Sequence, residues 1–393
     1  MFWLVAPDAD GGAQRGGRTP TVVRSPWQAA AMVLNVLAVV FGATIVVATL
    51  LSAVKTVILP RAVGSLVTRV QFMIVFKAFA IVAKGRSFAW RDRILAYYSP
   101  IALVLMPGVW VALIIVGFTL VYWGTGVHPL REAYLTSGSS MLTLGVVFHR
   151  SIPHATLSMA EATLGLGVVA LMISYLPSIY AAFGRREVLV GKLETRAGVP
   201  PSPIELLTRY SRIGFLDDID EELFARWEDW FMDVEESHTS LPALVFFRSP
   251  QPARNWVTAA GCVLDTAAIV ASTLDRARSP RAEVMMRTGF FALRRVADSF
   301  AIDHDPHPAP DDPITVTRDE FDLMCLELEA AGVALKADRE QAWVAFAGWR
   351  VNYDRVLVAL AGLVDAPPAR WSSDRSTPTR SLRVVRGWRR ERV

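Results

Sequence analysis

Three uncharged runs dominate the first half of the chain. Ala29–Val54, Ile101–Trp123 and Ala155–Phe183 supply 26, 23 and 29 residues, interrupted only by Asn35 and by one carboxylate, Glu161. A hydrocarbon core of about 30 Å needs around 20 apolar residues at about 1.5 Å each, so all three are long enough to cross it. They lack the two-residue alternation of a barrel, and helices are then the only way to satisfy their backbone in lipid. A fourth apolar patch, Val70–Ala83, has 14 residues, contains Lys77 and is bordered by Arg69 and Lys84. That pattern predicts a helix lying in the membrane interface. After Gly198–Pro203 the pattern becomes amphipathic. Leu206, Leu207, Tyr210 and Ile213 recur at helical spacing, as do Leu223, Trp227, Trp230 and Phe231. Helices are likewise expected over Arg254–Asp275, Ala282–Phe300, Arg318–Lys336 and Glu340–Leu363.

Charge orients these elements. Between Lys55 and Arg93 stand eight basic residues against the single acid Asp92, and Arg185, Arg186, Lys192 and Arg196 follow the third run. The positive-inside rule puts both segments in the cytoplasm, with the N-terminus outside. Arg15, Arg18 and Arg24 keep a four-span alternative open, with Val70–Ala83 crossing fully. Residues 1–27 carry no apolar core before a small-residue cleavage site, so no removable signal peptide is expected. With 393 residues, 52% hydrophobic and 20% charged, the chain is too apolar for disorder, and a net charge of +4 does not point to nucleic acid. Its 36 Arg against five Lys fit a GC-rich bacterial genome and hence a bacterial plasma membrane. Cys262 and Cys325, far apart, offer neither a disulfide framework nor a thiolate zinc site. No Walker sequence, G-x-G-x-x-G or nucleophile–base pair recurs, so no catalytic residue, resident metal or cofactor is expected.

The connection between the second and third runs carries the most chemistry. Pro129 can open a short helix over Leu130–Met141, and the uncharged stretch Thr143-Leu144-Gly145-Val146-Val147 follows. Such a segment re-enters a bilayer only where it is buried in protein or lines a water-filled cavity. Here the chain resembles the tetrameric cation channels built from outer helix, pore helix, filter strand and inner helix. More particularly, it resembles bacterial proteins grouped with the two-pore-domain potassium channel family. The resemblance rests on A-Y-L-T-S-G-S-S-M-L-T-L-G (Ala133–Gly145), the inner-helix stretch Glu161–Phe183 and the exit sequence R-R-E-V-L-V-G-K-L-E-T-R-A-G-V-P-P-S-P. It implies a homotetramer in membrane lipid that passively conducts monovalent cations, potassium foremost. Peptide oxygens and the Thr hydroxyl of Thr143, Leu144, Gly145, Val146 and Val147 would replace the ion's hydration shell. Two departures stand out. Val147 occupies the place of a second glycine with φ > 0, where a β-branched residue costs about 1–2 kcal/mol, and Phe148, His149 and Arg150 replace the acid that follows. These departures favour the runner-up, a non-conducting scaffold or sensor signalling through its helical domain.

The expected fold is therefore an all-α membrane protein: three transmembrane helices, an interfacial helix and a re-entrant pore loop, followed by an all-α cytoplasmic domain. Its divisions are a flexible N-terminal segment (1–27), first span and interfacial helix (28–99), pore module (100–184), linker (185–203), helical domain (204–365) and basic disordered tail (366–393). The intramembrane Glu161 either bonds the pore helix through Thr136, Ser137, Ser139 or Ser140, or meets headgroups. Gly165 and Gly167 form a gating hinge or merely permit close packing, Pro177 can kink the inner helix, and Ser174 and Tyr175 can line the vestibule. His149 and His154 are candidates for gating by external pH. Glu235, Glu236 and His238 read as a solvated acidic face rather than a metal site. Asp303–His307 with Asp311 and Asp312, broken by prolines, reads as an exposed linker. The tail from Arg370, with eight Arg against two acids, suits anionic lipid.

Overall fold

A computed structural model describes residues 26–57 and 65–376. All named elements among them are helical: α1 (Pro26–Val57), α2 (Leu66–Ala83), α3 (Phe88–Ala96), α4 (Tyr98–Gly124), α5 (Leu130–Met141), α6 (Ile152–Ala197) and α7 (Pro203–Ile213). They continue with α8 (Ala225–Ser240), α9 (Trp256–Ser272), α10 (Pro280–Ser299), α11 (Arg318–Ala330), α12 (Arg339–Arg350) and α13 (Asp354–Leu363). Four apolar stretches among the described residues are long enough to cross a membrane: α1, α2, α3–α4 together, and α6.

Small residues bring α1 and α4 together. A methyl group on Gly42 would lie 2.4 Å from the Gly117 carbonyl oxygen, and one on Gly124 would lie 2.5 Å from the Asn35 carbonyl oxygen. As numbers rise along α1 they fall along α4, so the pair is antiparallel and approaches at backbone distance, as dispersion-driven packing in lipid favours. On its other side α4 buries Leu103, Met106, Trp110, Ile114, Phe118 and Tyr122, a stripe at three- and four-residue spacing that faces α5 and α6. The contacts of α2 are of another kind. Gln71 Nε2 donates to the Ala102 carbonyl (2.7 Å), and the rings of Phe72, Phe76 and Phe79 all surround Tyr98. These contacts stay on the first two turns of α4, so α2 crosses its end.

At about 69 Å, α6 is longer than any bilayer core. Its first two-thirds contribute Val168, Met172, Tyr175, Ile179 and Ala182 to the core around α4, while Val190, Leu193 and Ala197 belong to the core of the helical domain. The expected linker over 185–203 is thus mostly helix. The helix ends at Gly198, where φ is 75°, because no proline falls within Arg185–Ala197 to end it sooner. The helical domain wraps around α9, of which every residue except Ala271 is buried; a helix apolar on all sides must be enclosed. The expected single helix Glu340–Leu363 is two. Asn352 Nδ2 donates to the Gly348 and Trp349 carbonyls and closes α12, which lets Arg350 ion-pair with Asp354 at the start of α13 (2.8 Å). The domain also extends past residue 365: Trp371 is fully buried, and its carbonyl accepts from Arg350. The rest of the expected basic tail, 377–393, and most of the N-terminal segment lie outside the described residues.

Candidate functional site

The segment between α4 and α6 sits at the end of the bundle opposite the helical domain. It adjoins the C-terminus of α4 and the start of α6, whereas the helical domain meets the start of α4 and the far half of α6. α5 buries Ala133, Thr136, Ser137, Ser139, Ser140 and Met141 between those two helices and leaves Tyr134 and Leu135 exposed. Its end is closed in a specific way. Thr143 N–H donates to the Ser140 carbonyl (3.0 Å), Leu144 N–H to the Ser139 carbonyl (2.8 Å), and Thr143 adopts φ 53°. This is a Schellman closure with Thr143 in the left-handed position that glycine usually fills, at a cost of about 1–2 kcal/mol for a β-branched residue.

Beyond the cap no strand forms. Gly145 is the second left-handed residue, at φ 68°, and Val147 is not among the positive-φ residues. Val147 thus does not take the strained conformation that a second filter glycine would adopt, and the segment has another shape there. The reversals of direction fall at Thr143 and Gly145, two residues earlier, because the helix cap takes the first of them. The Ser139 hydroxyl then accepts from the N–H groups of both Val146 (2.9 Å) and Val147 (3.1 Å), which holds the chain against α5. Among the described residues, no backbone or side-chain donor bonds a carbonyl of residues 142–150. The side chains of Leu144, Val146 and Phe148 are exposed.

Behind this segment Glu161 is fully buried. Of its four candidate partners, Ser137 is the one it meets, at 2.5 Å, and the same hydroxyl lies 3.1 Å from the Ile115 carbonyl, so one serine ties α4, α5 and α6 together. Gly165 packs directly under the end of α5, where an added methyl would stand 2.2 Å from the Met141 carbonyl oxygen. Gly167 faces open space, and α6 continues unbroken through the exposed Pro177. Ser174 is exposed and Tyr175 buried. His149 and His154 lie with ring centres 5.5 Å apart. Thr136 spends its own proton on the Glu132 carbonyl and Thr125 on that of Val121, so each hydroxyl accepts from an imidazole Nε2–H, at 2.9 Å from His149 and 3.2 Å from His154.

Where α6 enters the helical domain, sequence reasoning missed a hub. Arg186 is fully buried and donates to the Leu244 (2.9 Å) and Phe247 (2.8 Å) carbonyls, to Glu187 and to His238 Nε2 (3.1 Å). An arginine has only donors, so His238 must accept there and carries its proton on Nδ1, facing the Ser237 hydroxyl. Burial, and then the Arg186 charge, holds the imidazole well below its ordinary pKa. His238 is thus no part of a solvated acidic face, while Glu235 pairs with Arg295. The only hint in the sequence was an arginine doublet already accounted for by charge topology. Among the described residues no three His, Cys, Asp or Glu side chains converge to hold a metal ion; His304 of the proline-rich stretch bonds Asp298 (2.9 Å) instead. Comparison with protein-family models, with curated proteins and with solved structures gives no match for this chain.

Proposed function

We propose that the chain is one subunit of a homotetrameric channel in a bacterial plasma membrane that passively conducts monovalent cations, potassium foremost. One subunit contributes one lining segment, so a closed pore requires several copies around an axis. The observation that carries the reading is the run of unaccepted carbonyls after the cap of α5. Thr143, Leu144, Gly145 and Val146 are exposed in the single chain; gathered around a shared axis their oxygens would lose water and need a partner, which a dehydrated cation supplies. Thr143, Leu144 and Gly145 are the proposed ligands, with Val146 and Val147 continuing the wall. The exposed face of α6 supports the same reading. Thr163, Gly167, Ala170, Ser174 and Ser178 follow one another at three- or four-residue spacing, a small and polar stripe suited to a water-filled axis. In this arrangement α1, α4 and α6 span, α2 lies in the interface across the end of α4, and the helical domain is cytoplasmic. Potassium efflux from proteoliposomes tests it: wild type conducts and Gly145→Asp does not, whereas equal leak from both refutes conduction. The exposed Arg150, with no acid anywhere in residues 142–154 to draw cations to the mouth, favours the second reading, a non-conducting membrane scaffold.

A further inference from the structure

α3 has two faces of opposite character. Around a helix at 100° per residue, Trp90, Arg93 and Tyr97 fall on one side, with Arg86 just before the helix continuing the same line; Arg91 and Asp92 fall on the other. The second side is committed to the helical domain. Arg91 makes a two-bond pair with Asp365 (2.6 and 3.2 Å), and Asp92 pairs with Arg248, which also donates to the Val364 carbonyl (2.7 Å). The first side is exposed. Trp90 and Tyr97 are 52% and 61% exposed, and the guanidinium groups of Arg86 and Arg93 each stand 5.7 Å from the Trp90 ring centre. Neither these arginines nor Lys84 has a carboxylate partner among the described residues. The face lies one residue before α4, an apolar helix long enough to span, and one turn after α2.

We propose that this face of α3 binds the headgroups of anionic phospholipids. Two uncompensated arginines beside an exposed indole and phenol complement a negatively charged, half-apolar surface, and tryptophan and tyrosine favour the headgroup level. A soluble acidic partner would leave Trp90 and the apolar stripe Leu66, Val70 and Ile74 of the neighbouring α2 in water. The opposite side of α3 is ion-paired to the helical domain, so α3 lies between the bilayer charge and that domain. The inference rests on the membrane character of the chain and not on conduction.

Quenching of intrinsic tryptophan fluorescence by brominated lipids in detergent micelles tests the proposal on the full chain. Brominated phosphatidylglycerol half-saturates at about a tenfold lower mole fraction than brominated phosphatidylcholine. Arg86→Gln/Arg93→Gln abolishes the preference, Arg86→Lys/Arg93→Lys retains it, and Trp90→Phe removes part of the quenching. Equal half-saturation of the two lipids by wild type, or a preference that survives in the Gln double variant, overturns it. If that variant fails to fold by circular dichroism, wild type in about 0.5 M NaCl decides, because exposed charges are then screened within a few ångströms: loss of the preference supports the site, and persistence overturns it.

Discussion

Gly165 and Gly167 occupy the same helix two residues apart, and replacing each by alanine separates a packing glycine from a free one. Within a helix interior the change from glycine to alanine gains about 1 kcal/mol in backbone propensity, and this gain is common to both. What differs is the space. At Gly167 no atom lies within 4 Å of the added methyl; at Gly165 it would stand 2.2 Å from the Met141 carbonyl oxygen and 3.4 Å from the Met141 sulfur. The near contact is backbone, at the end of α5, so no rotamer change relieves it. α5 and α6 must part by roughly 1 Å, and overpacking of that kind costs about 1–3 kcal/mol. Gly167→Ala is therefore neutral or stabilising, and Gly165→Ala is less stable than Gly167→Ala by about 1–3 kcal/mol. Thermal unfolding of both variants in one detergent, read by far-ultraviolet circular dichroism, shows this as a difference of a few degrees. Coincident unfolding curves refute the seating of α5 on Gly165, and with it the position of the segment that follows.

Ser139→Ala leaves the N–H groups of Val146 and Val147 without their acceptor, at about 1–3 kcal/mol for each group left dry; hydrogen exchange over residues 144–148 accelerates while the helical domain is unchanged. Removing Arg350 strands the buried carboxylates of Asp265 and Asp354. Burial already raises the Asp265 pKa against the pull of Arg350, and Arg350→Met lowers stability to urea by about 3–5 kcal/mol. His238 is buried neutral with a depressed pKa, so its contribution to stability is complete above the unfolded value near 6.5 and declines as pH falls below it, by at most about 1.4 kcal/mol per pH unit. Acidification from about pH 7.5 to about pH 5.5 therefore lowers the unfolding temperature of wild type more than that of His238→Gln, which keeps an acceptor for Arg186 but does not titrate; equal losses refute the assignment.

The apolar runs located α1, α4 and α6, because length and uninterrupted hydrophobicity are properties of a single segment. Their limits were less legible. Val70–Ala83 gains a turn in α2 because Ser65 caps the helix, its hydroxyl facing the N–H of Thr68 (3.3 Å), and a one-turn extension of mixed polarity carries no periodic signal. The end of α6 was hidden for a similar reason: Arg185–Ala197 is polar on one side and reads as a linker until the helical domain is there to bury Val190, Leu193 and Ala197. At the candidate site, the short helix and the residues following it could be read from spacing, whereas the choice of Ser137 among four hydroxyls as the partner of Glu161 depends on how α4, α5 and α6 meet.

The sequence by itself determined that the regular elements of the described chain are helices, that several of them are apolar enough to enter a membrane, and that a short helix with an uncharged tail separates two of them. Those features follow from local periodicity and from the free energy of apolar surface in water. Only the tertiary structure decided the rest. Thr143 and Gly145 take the left-handed positions and Val147 does not, Arg186 and His238 share one buried site, and α3 gives Asp92 and Arg91 to the helical domain while Trp90, Arg93 and the preceding Arg86 stay exposed. Hydrogen bonds and ion pairs are directional contacts between residues far apart in the chain, and their partners are fixed by which helix faces come together.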